Sequence, residues 1–290
     1  MLRILIRKSI PIRQRFHLVI PMKTITTGGI RLAVQDVGSG PVLLLVHGFP
    51  LDHSMWRGQA AAFSATHRVI APDLRGFGAS RRAQRSEQAD SIEQFADDLN
   101  ALLDALHVEK PVVFCGLSMG GYIAWQFFRK YRERVGALIL CDTRSGVDTP
   151  EGIDVRKKMA AHVLVHGSQS VADAMLPKLL CDETLCTQPK IAESLRSTIV
   201  AADPAAIAAG QLAMAGRPDS TPLLPKIDVP TLLIVGQHDA ITTVDMMQDD
   251  AAAIAGAKLA VIPSAGHMAP LERPTAVNEE IRRFLKSLTR

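Results

Sequence analysis

No apolar run in the 290-residue sequence approaches the roughly 20 residues that a membrane-spanning helix needs. No internal repeat and no low-complexity segment is present. These absences exclude a membrane protein of helical type, a solenoid and a disordered chain. Cysteine is scarce, with four residues and no C-x-x-C pair. A zinc site of that spacing and a disulfide scaffold are therefore not expected. Cys115 and Cys141 end apolar strand-like runs, and Cys181 and Cys186 lie in a helical region. They read as buried or half-buried free thiols of a protein in a reducing compartment, the cytoplasm.

Acidic residues are absent from positions 1–21, which carry Arg3, Arg7, Lys8, Arg13 and Arg15. The chain as a whole has 33 basic and 29 acidic residues, a net charge of +4. Without that segment, 28 basic residues face 29 acidic ones and the body is close to neutral. A nucleic-acid partner has no basic face to bind to. Arg and Lys interrupt every apolar stretch of the segment, so it is not a secretory signal. It shares an Arg-rich, acid-free composition with transit peptides but has one serine, Ser9. The preferred reading is a start assigned too early, with Met22 opening the first strand and a hairpin, so residues 1–21 are expected to stand outside the fold.

Hydrophobic residues, by contrast, make up 47% of the chain, enough for a sizeable core. From Ile30 onward, apolar strands alternate with helical patterns. Strands are expected at 31–37, 41–46, 68–71, 112–115, 137–141, 231–235 and 258–262. Pro41-Val-Leu-Leu-Leu-Val46 is continuously apolar, as a central parallel strand covered on both faces would be. Helices are expected at 53–65, 91–106, 119–129, about 243–255 and 274–288. This alternation is the sequence form of a doubly wound, mostly parallel α/β sheet. It breaks between about 146 and 225, where four helical segments and no strand are expected, at 149–165, 169–180, 188–202 and 204–215. A helical insertion before the last two strands is expected to cap the carboxyl edge of the sheet, where ligands bind. The expected division is a core of 22–145 and 226–290 with a cap of 146–225.

The chemistry concentrates in Gly116-Leu-Ser-Met-Gly120, between the strand ending at Cys115 and the helix starting at Met119. A G-x-S-x-G sequence on a strand-to-helix turn is a nucleophile elbow. The turn lifts the Ser118 hydroxyl above the sheet edge, and its crowding leaves room only for glycine at 116 and 120. A serine hydroxyl needs a base, and the base needs an orienting acid. With an elbow of this kind the partners come in the order Ser, acid, His. His267 lies in Pro263-Ser-Ala-Gly-His-Met-Ala-Pro270 after the last strand, and Asp239 follows the strand before it. Asp142 also follows a strand and remains an alternative acid. Two N–H donors are needed for an oxyanion. Met119, just after the serine, and Phe49, in His47-Gly-Phe-Pro50, are the candidates. His47 reads as an anchor of that loop, and Asp73 as a pin of its own loop beside Arg75. His162, His166 and the cap residues Arg156, Lys157, Lys158, Lys178, Lys190 and Arg196 read as a solvated face.

Taken together, His47-Gly-Phe-Pro50, Asp73-Leu-Arg-Gly-Phe-Gly-Ala-Ser80, Gly116-Leu-Ser-Met-Gly-Gly121, Asp239 and Gly266-His267 resemble the α/β-hydrolase superfamily over about residues 24–288. The G-L-S-M-G-G elbow and the G-H-M-A-P-L-E ending are similar to carboxylesterase-like and 3-oxoadipate enol-lactonase-like members. The resemblance implies the α/β-hydrolase fold and a carboxylic ester hydrolase acting on a small ester or lactone. It implies neither a metal nor an organic cofactor. Cofactor-free perhydrolases and carbon–carbon bond hydrolases share the same text, and a binding protein without turnover is a further alternative. Haloalkane dehalogenases and epoxide hydrolases are also similar but use an aspartate nucleophile, whereas the elbow residue here is serine. The sequence leaves a homo-oligomer open.

Overall fold

The computed structural model describes residues 22–82 and 89–288. The expectation that residues 1–21 stand apart lies outside the described residues. β1 (Lys23–Thr27) and β2 (Ile30–Val37) form an antiparallel hairpin closed by Gly28-Gly29. Both glycines have positive φ, 53° and 85°, which a two-residue hairpin turn of this hand requires. The sheet continues with β3 (Val42–Val46), β4 (Arg68–Pro72), β5 (Val112–Leu117), β6 (Val135–Cys141), β7 (Thr231–Gly236) and β8 (Lys258–Ile262). The spatial order is β1-β2-β4-β3-β5-β6-β7-β8. β2 runs antiparallel to β1 and β4, and the other neighbours are parallel.

β5 is buried along its whole length, because helices cover both faces of a parallel sheet. α1 (Arg57–Phe63), α2 (Ile92–Ala105), α3 (Met119–Lys130), α9 (Val244–Ala253) and α11 (Pro274–Ser287) provide that cover. α2 turns Ile92, Phe95, Ala96, Leu99, Leu102 and Leu103 inward at helical spacing, and the Ser91 hydroxyl caps it by accepting from the Gln94 N–H at 3.2 Å. From β3 the chain winds to β4 on one side, then crosses to β5 on the other. Such a reversal leaves a crevice at the carboxyl ends of β3 and β5.

Between β6 and β7 lie α4 (Pro150–His166), α5 (Ser168–Leu179), α6 (Asp182–Thr187), α7 (Pro189–Ala201) and α8 (Pro204–Ala215). α4 packs on α8, and α5 and α6 pack on α7. Five helices stand where four segments are expected. The extra one, α6, follows its capping residue Cys181, whose N–H is taken by the Glu272 carboxylate at 3.0 Å rather than by a preceding helical turn. Its Cys186 is exposed, unlike the other three cysteines, contrary to the expectation of burial. The single helix expected at 53–65 is also divided. The Asp52 carboxylate accepts from the Ser54 N–H and Asp73 from the His53 N–H, which tightens 53–56 into a 3₁₀ turn before α1. A further short helix, α10 (Ala269–Glu272), precedes α11. No single helix among the described residues is long and apolar enough to cross a membrane.

The root of the helical insertion is held by charge. Asp148 pairs with Arg217 at 2.7 Å, with Arg156 at 2.5 Å and with Arg144. Arg217 lies over the Tyr122 ring, 4.2 Å from its centroid, which ties this cluster to α3. Burial alone would raise the Asp148 carboxyl, but Arg217 and Arg156 hold it well below the usual carboxylate range. A carboxyl depressed in the folded state stabilises above its unfolded value, and that contribution is lost as the pH falls. We therefore expect urea midpoints of the parent to drop steeply below about pH 4. Asp148→Asn should be destabilised near neutrality by about 3 kcal/mol, at the low end for a broken buried pair because Arg217 keeps two carbonyl acceptors. Its acid-side drop should be correspondingly shallower; equal slopes in parent and variant would contradict this account.

Candidate active site

The parallel strands β3, β5, β6, β7 and β8 all end at one edge. His47-Gly48-Phe49, Ser118, Asp142, Asp239 and His267 lie just beyond those ends in turn. Ser118 sits at φ 52° and ψ −111°, a strained conformation for a residue with a side chain. Its surroundings hold it there. The Ser118 N–H donates to Cys141 O at 3.0 Å, and Ser118 O accepts from Gly121 N, Tyr122 N and the Thr143 hydroxyl at 2.8–3.1 Å. A Cβ on Gly116 would lie 2.3 Å from Gly120 O, and one on Gly120 would lie 2.3 Å from Val46 O. Both contacts are with backbone, so neither position has room for a side chain.

His267 brings the distant residues together. Its Nε2 is 2.9 Å from Ser118 Oγ, and its Nδ1 is 2.8 Å from Asp239 Oδ2. The Nδ1–H donating to the carboxylate leaves Nε2 free to accept from the serine hydroxyl. His267 and Asp239 are 2% and 5% exposed, so water does not screen their contact. Asp239 Oδ1 accepts from the Ile241 and Thr242 N–H groups at 2.8 and 3.0 Å, and Oδ2 from the Thr242 hydroxyl at 2.6 Å. Burial would raise this carboxyl, yet His267 and the Thr242 donors hold it below its ordinary value.

Asp142, the alternative acid, has a different environment. Oδ1 accepts from the Gly236 N–H at 2.8 Å, while the buried Oδ2 has no partner. Burial and the neighbouring Asp239 charge push its carboxyl well above the ordinary value. His267 meets Asp239, while burial and the Asp239 charge favour the neutral form of Asp142.

The Phe49 and Met119 N–H groups have no protein acceptor among the described residues. A Cβ on Gly48 would come within 3.5 Å of Ser118 Cβ, so the two turns meet at the crevice between β3 and β5. His47 fixes the first turn: Nδ1–H donates to Gly48 O, and Nε2 accepts from the Leu74 N–H, both at 2.9 Å. Full burial depresses its basicity and keeps the ring neutral.

Asp73 pins its loop through the Ala79 N–H at 2.7 Å, and its Oδ1 lies 2.6 Å from His53 Nδ1. Arg75, beside it in the loop, reaches across to Asp98 on α2 at 2.5 Å. Asp52, His53 and Asp73 are the group among the described residues with metal-ligand spacing. Their donors are already engaged: both Asp73 oxygens and His53 Nδ1 bond one another or the loop amides, and Asp52 Oδ1 caps Ser54. A cleft of about 560 Å³ beside this group, lined by Leu51, Asp52, Arg81 and Thr198 among others, includes none of Ser118, Asp239 and His267. Arg156 and Arg196 pair with Asp148 and Asp173, and the four cap lysines are exposed.

Thr143, Thr242 and Glu272 are supporting residues that the sequence pattern alone does not single out. Thr242 stands three residues after Asp239, the spacing of a side chain folding back on its own turn, and that spacing is the available signal. Glu272 is visible in the sequence only as an acid within an otherwise apolar ending.

The family model described as the Alpha/beta hydrolase family matches residues 43–280. The chain belongs to this family. Among solved structures, this α/β hydrolase is similar to an esterase from Thermogutta terrifontis (malate bound), with 43% identity, a TM-score of 0.88, and 92% of this chain and 99% of that one covered. It is also similar to an enol-lactonase from Burkholderia xenovorans, with 29% identity, a TM-score of 0.83, and 91% and 100% coverage. Among curated relatives, 3-oxoadipate enol-lactonase 2 of Acinetobacter baylyi is 28% identical over 91% of this hydrolase and 96% of its own length.

The elbow geometry of the hydrolase yields a direct expectation. Gly120→Ala should lose about 1–3 kcal/mol or more in chemical denaturation, since the new methyl meets Val46 O rather than a movable side chain. Unchanged stability would mean that α3 and β3 are not packed as closely as described.

Proposed function

We propose that the chain hydrolyses small carboxylic esters or lactones through an acyl-enzyme on Ser118. The observation that carries the reading is the unbroken relay from Ser118 Oγ to His267 Nε2, 2.9 Å, and from His267 Nδ1 to Asp239 Oδ2, 2.8 Å. The names of the similar enzymes, an esterase and two enol-lactonases, support the same substrate class.

In this reading His267 takes the Ser118 proton as Oγ attacks the acyl carbonyl. Asp239 fixes the imidazole tautomer and stabilises its charged form. The Phe49 and Met119 N–H groups receive the developing oxyanion, aided by the positive N-terminal end of α3. The tetrahedral adduct collapses, the alkoxide leaves with the proton from His267, and water activated by His267 cleaves the acyl-enzyme. For a lactone, the leaving alkoxide stays tethered through the acyl chain, and the second step releases a single hydroxy acid. These steps need no metal and no organic cofactor. Residues 146–225 act as a cap that sets the size and polarity of the acyl pocket, over a core formed by 22–145 and 226–290. The four free cysteines fit a reducing compartment such as the cytoplasm.

A fluorophosphonate probe and a panel of short esters, long esters, lactones and ring-fission dienoates test the proposal. The parent should be labelled at Ser118 and should turn over short esters or lactones. Ser118→Ala should lose both. Asp239→Asn should keep the fold while kcat falls by about 10⁴-fold, the loss expected of a mis-set imidazole tautomer. Unlabelled parent protein would favour a binding protein, and turnover of the dienoate alone would favour carbon–carbon cleavage.

A further inference from the structure

The His267 loop is held from both sides by one buried carboxylate that the proposed mechanism does not use. Glu272, 2% exposed, accepts at Oε1 from the Gly266 N–H at 2.7 Å and from the Met268 N–H at 3.4 Å. These are the two amides that flank His267 in sequence. Its other oxygen, Oε2, accepts from the Cys181 N–H at 3.0 Å, at the start of α6 in the helical insertion. A second observation shows the same contact from the backbone side. A Cβ on Gly266 would lie 2.7 Å from Cys181 N and 2.9 Å from the Leu180 carbonyl carbon. The insertion thus lies directly against the His267 loop. The Cys181 thiol adds a bond to Ser264 O at 3.1 Å, and Arg273 reaches Thr184 at 3.3 Å and Glu183 at 2.8 Å.

We infer that Glu272 is the positioning residue of His267 and that it couples the place of the base to the helical cap. The inference rests on the reading of His267 as general base. Two amides flanking one residue and converging on one anionic oxygen fix that residue's Cα on both sides. The ring of His267 must meet Ser118 and Asp239 at once, and a displacement of its Cα would lengthen both contacts. Because the same carboxylate holds Cys181, a shift of α6 is carried to His267 through a rigid ion-to-amide bridge rather than through a flexible loop. A purely structural staple would lower stability and leave turnover per folded molecule unchanged. A positioning residue lowers kcat and leaves KM largely alone.

Glu272→Gln separates these outcomes. The carboxamide keeps the shape but offers one oxygen acceptor and presents N–H donors where the second oxygen stood, so one set of amides loses its acceptor. With a short aryl ester, kcat should fall by about 10- to 100-fold while KM stays within about threefold. Amide hydrogen exchange at Gly266, Met268 and Cys181 should speed up together, by about tenfold or more. Parental kcat in the folded variant overturns the positioning role, whatever its stability. Faster exchange confined to one of the two segments overturns the coupling to the cap. Should the variant not fold, the parent itself decides: its Gly266 and Cys181 amides should open in one protection class, and classes separated by more than about tenfold overturn the bridge. Failure of the hydrolase reading looks different, since Ser118→Ala would then turn over as fast as the parent while the exchange data still report on the bridge.

Discussion

The site depends on how closely the first turn of α3 approaches the end of β3. Gly120 has no side chain because Val46 O occupies that space, and Gly116 has none because Gly120 O does. Gly121 is constrained likewise by the Thr143 hydroxyl, which lies 2.3 Å from where its Cβ would be. This close contact forces Ser118 into positive φ, and the lost torsional comfort is offset by four hydrogen bonds to its own backbone. The same contact sets the Ser118 turn beside Gly48, at the crevice where strand order reverses. The Phe49 and Met119 amides are left without acceptors as a consequence of that meeting.

Much of this was legible in the sequence because backbone geometry there demands particular residues. A strained turn between a strand and a helix can be written only with small neighbours, so Gly116-Leu-Ser-Met-Gly120 announces it. Continuous apolar runs such as Leu43-Leu-Leu-Val46 announce strands covered on both faces, and 3.6-residue periodicity announces α2. Asp239 and His267 could be placed because parallel strands deliver the loops after them to one edge.

The hidden parts depend on contacts between segments far apart in the chain. Nothing local to Arg75 says that it reaches Asp98 on α2, and nothing local to Asp73 says that His53 meets it. The division of 53–65 arises from the same contact, since Asp73 draws the His53 amide out of a helical path. α6 was hidden because the N–H of its capping residue, Cys181, is satisfied by Glu272, 91 residues away. Short-range patterns carry torsion and burial; they do not carry which of two equally reachable partners is nearer in the folded chain.

The two acids at the carboxyl edge of the sheet show how such distant partners decide chemistry. Asp142 and Asp239 both stand just after strands, and both are almost fully buried. Two adjacent buried carboxylates cannot both ionise without a large desolvation and repulsion penalty. The surrounding donors divide the roles. Asp239 receives two amides, a hydroxyl and the imidazole, so its charged form is solvated by the protein. Asp142 receives one amide and leaves an oxygen unpaired, so its neutral form is favoured. To the extent that Asp142 is shifted toward its neutral form, its charge does not add to the repulsion that would raise Asp239. The turn Asp239-Ala-Ile-Thr242 therefore determines which acid faces the imidazole as a charge, because it supplies donors that the end of β6 does not.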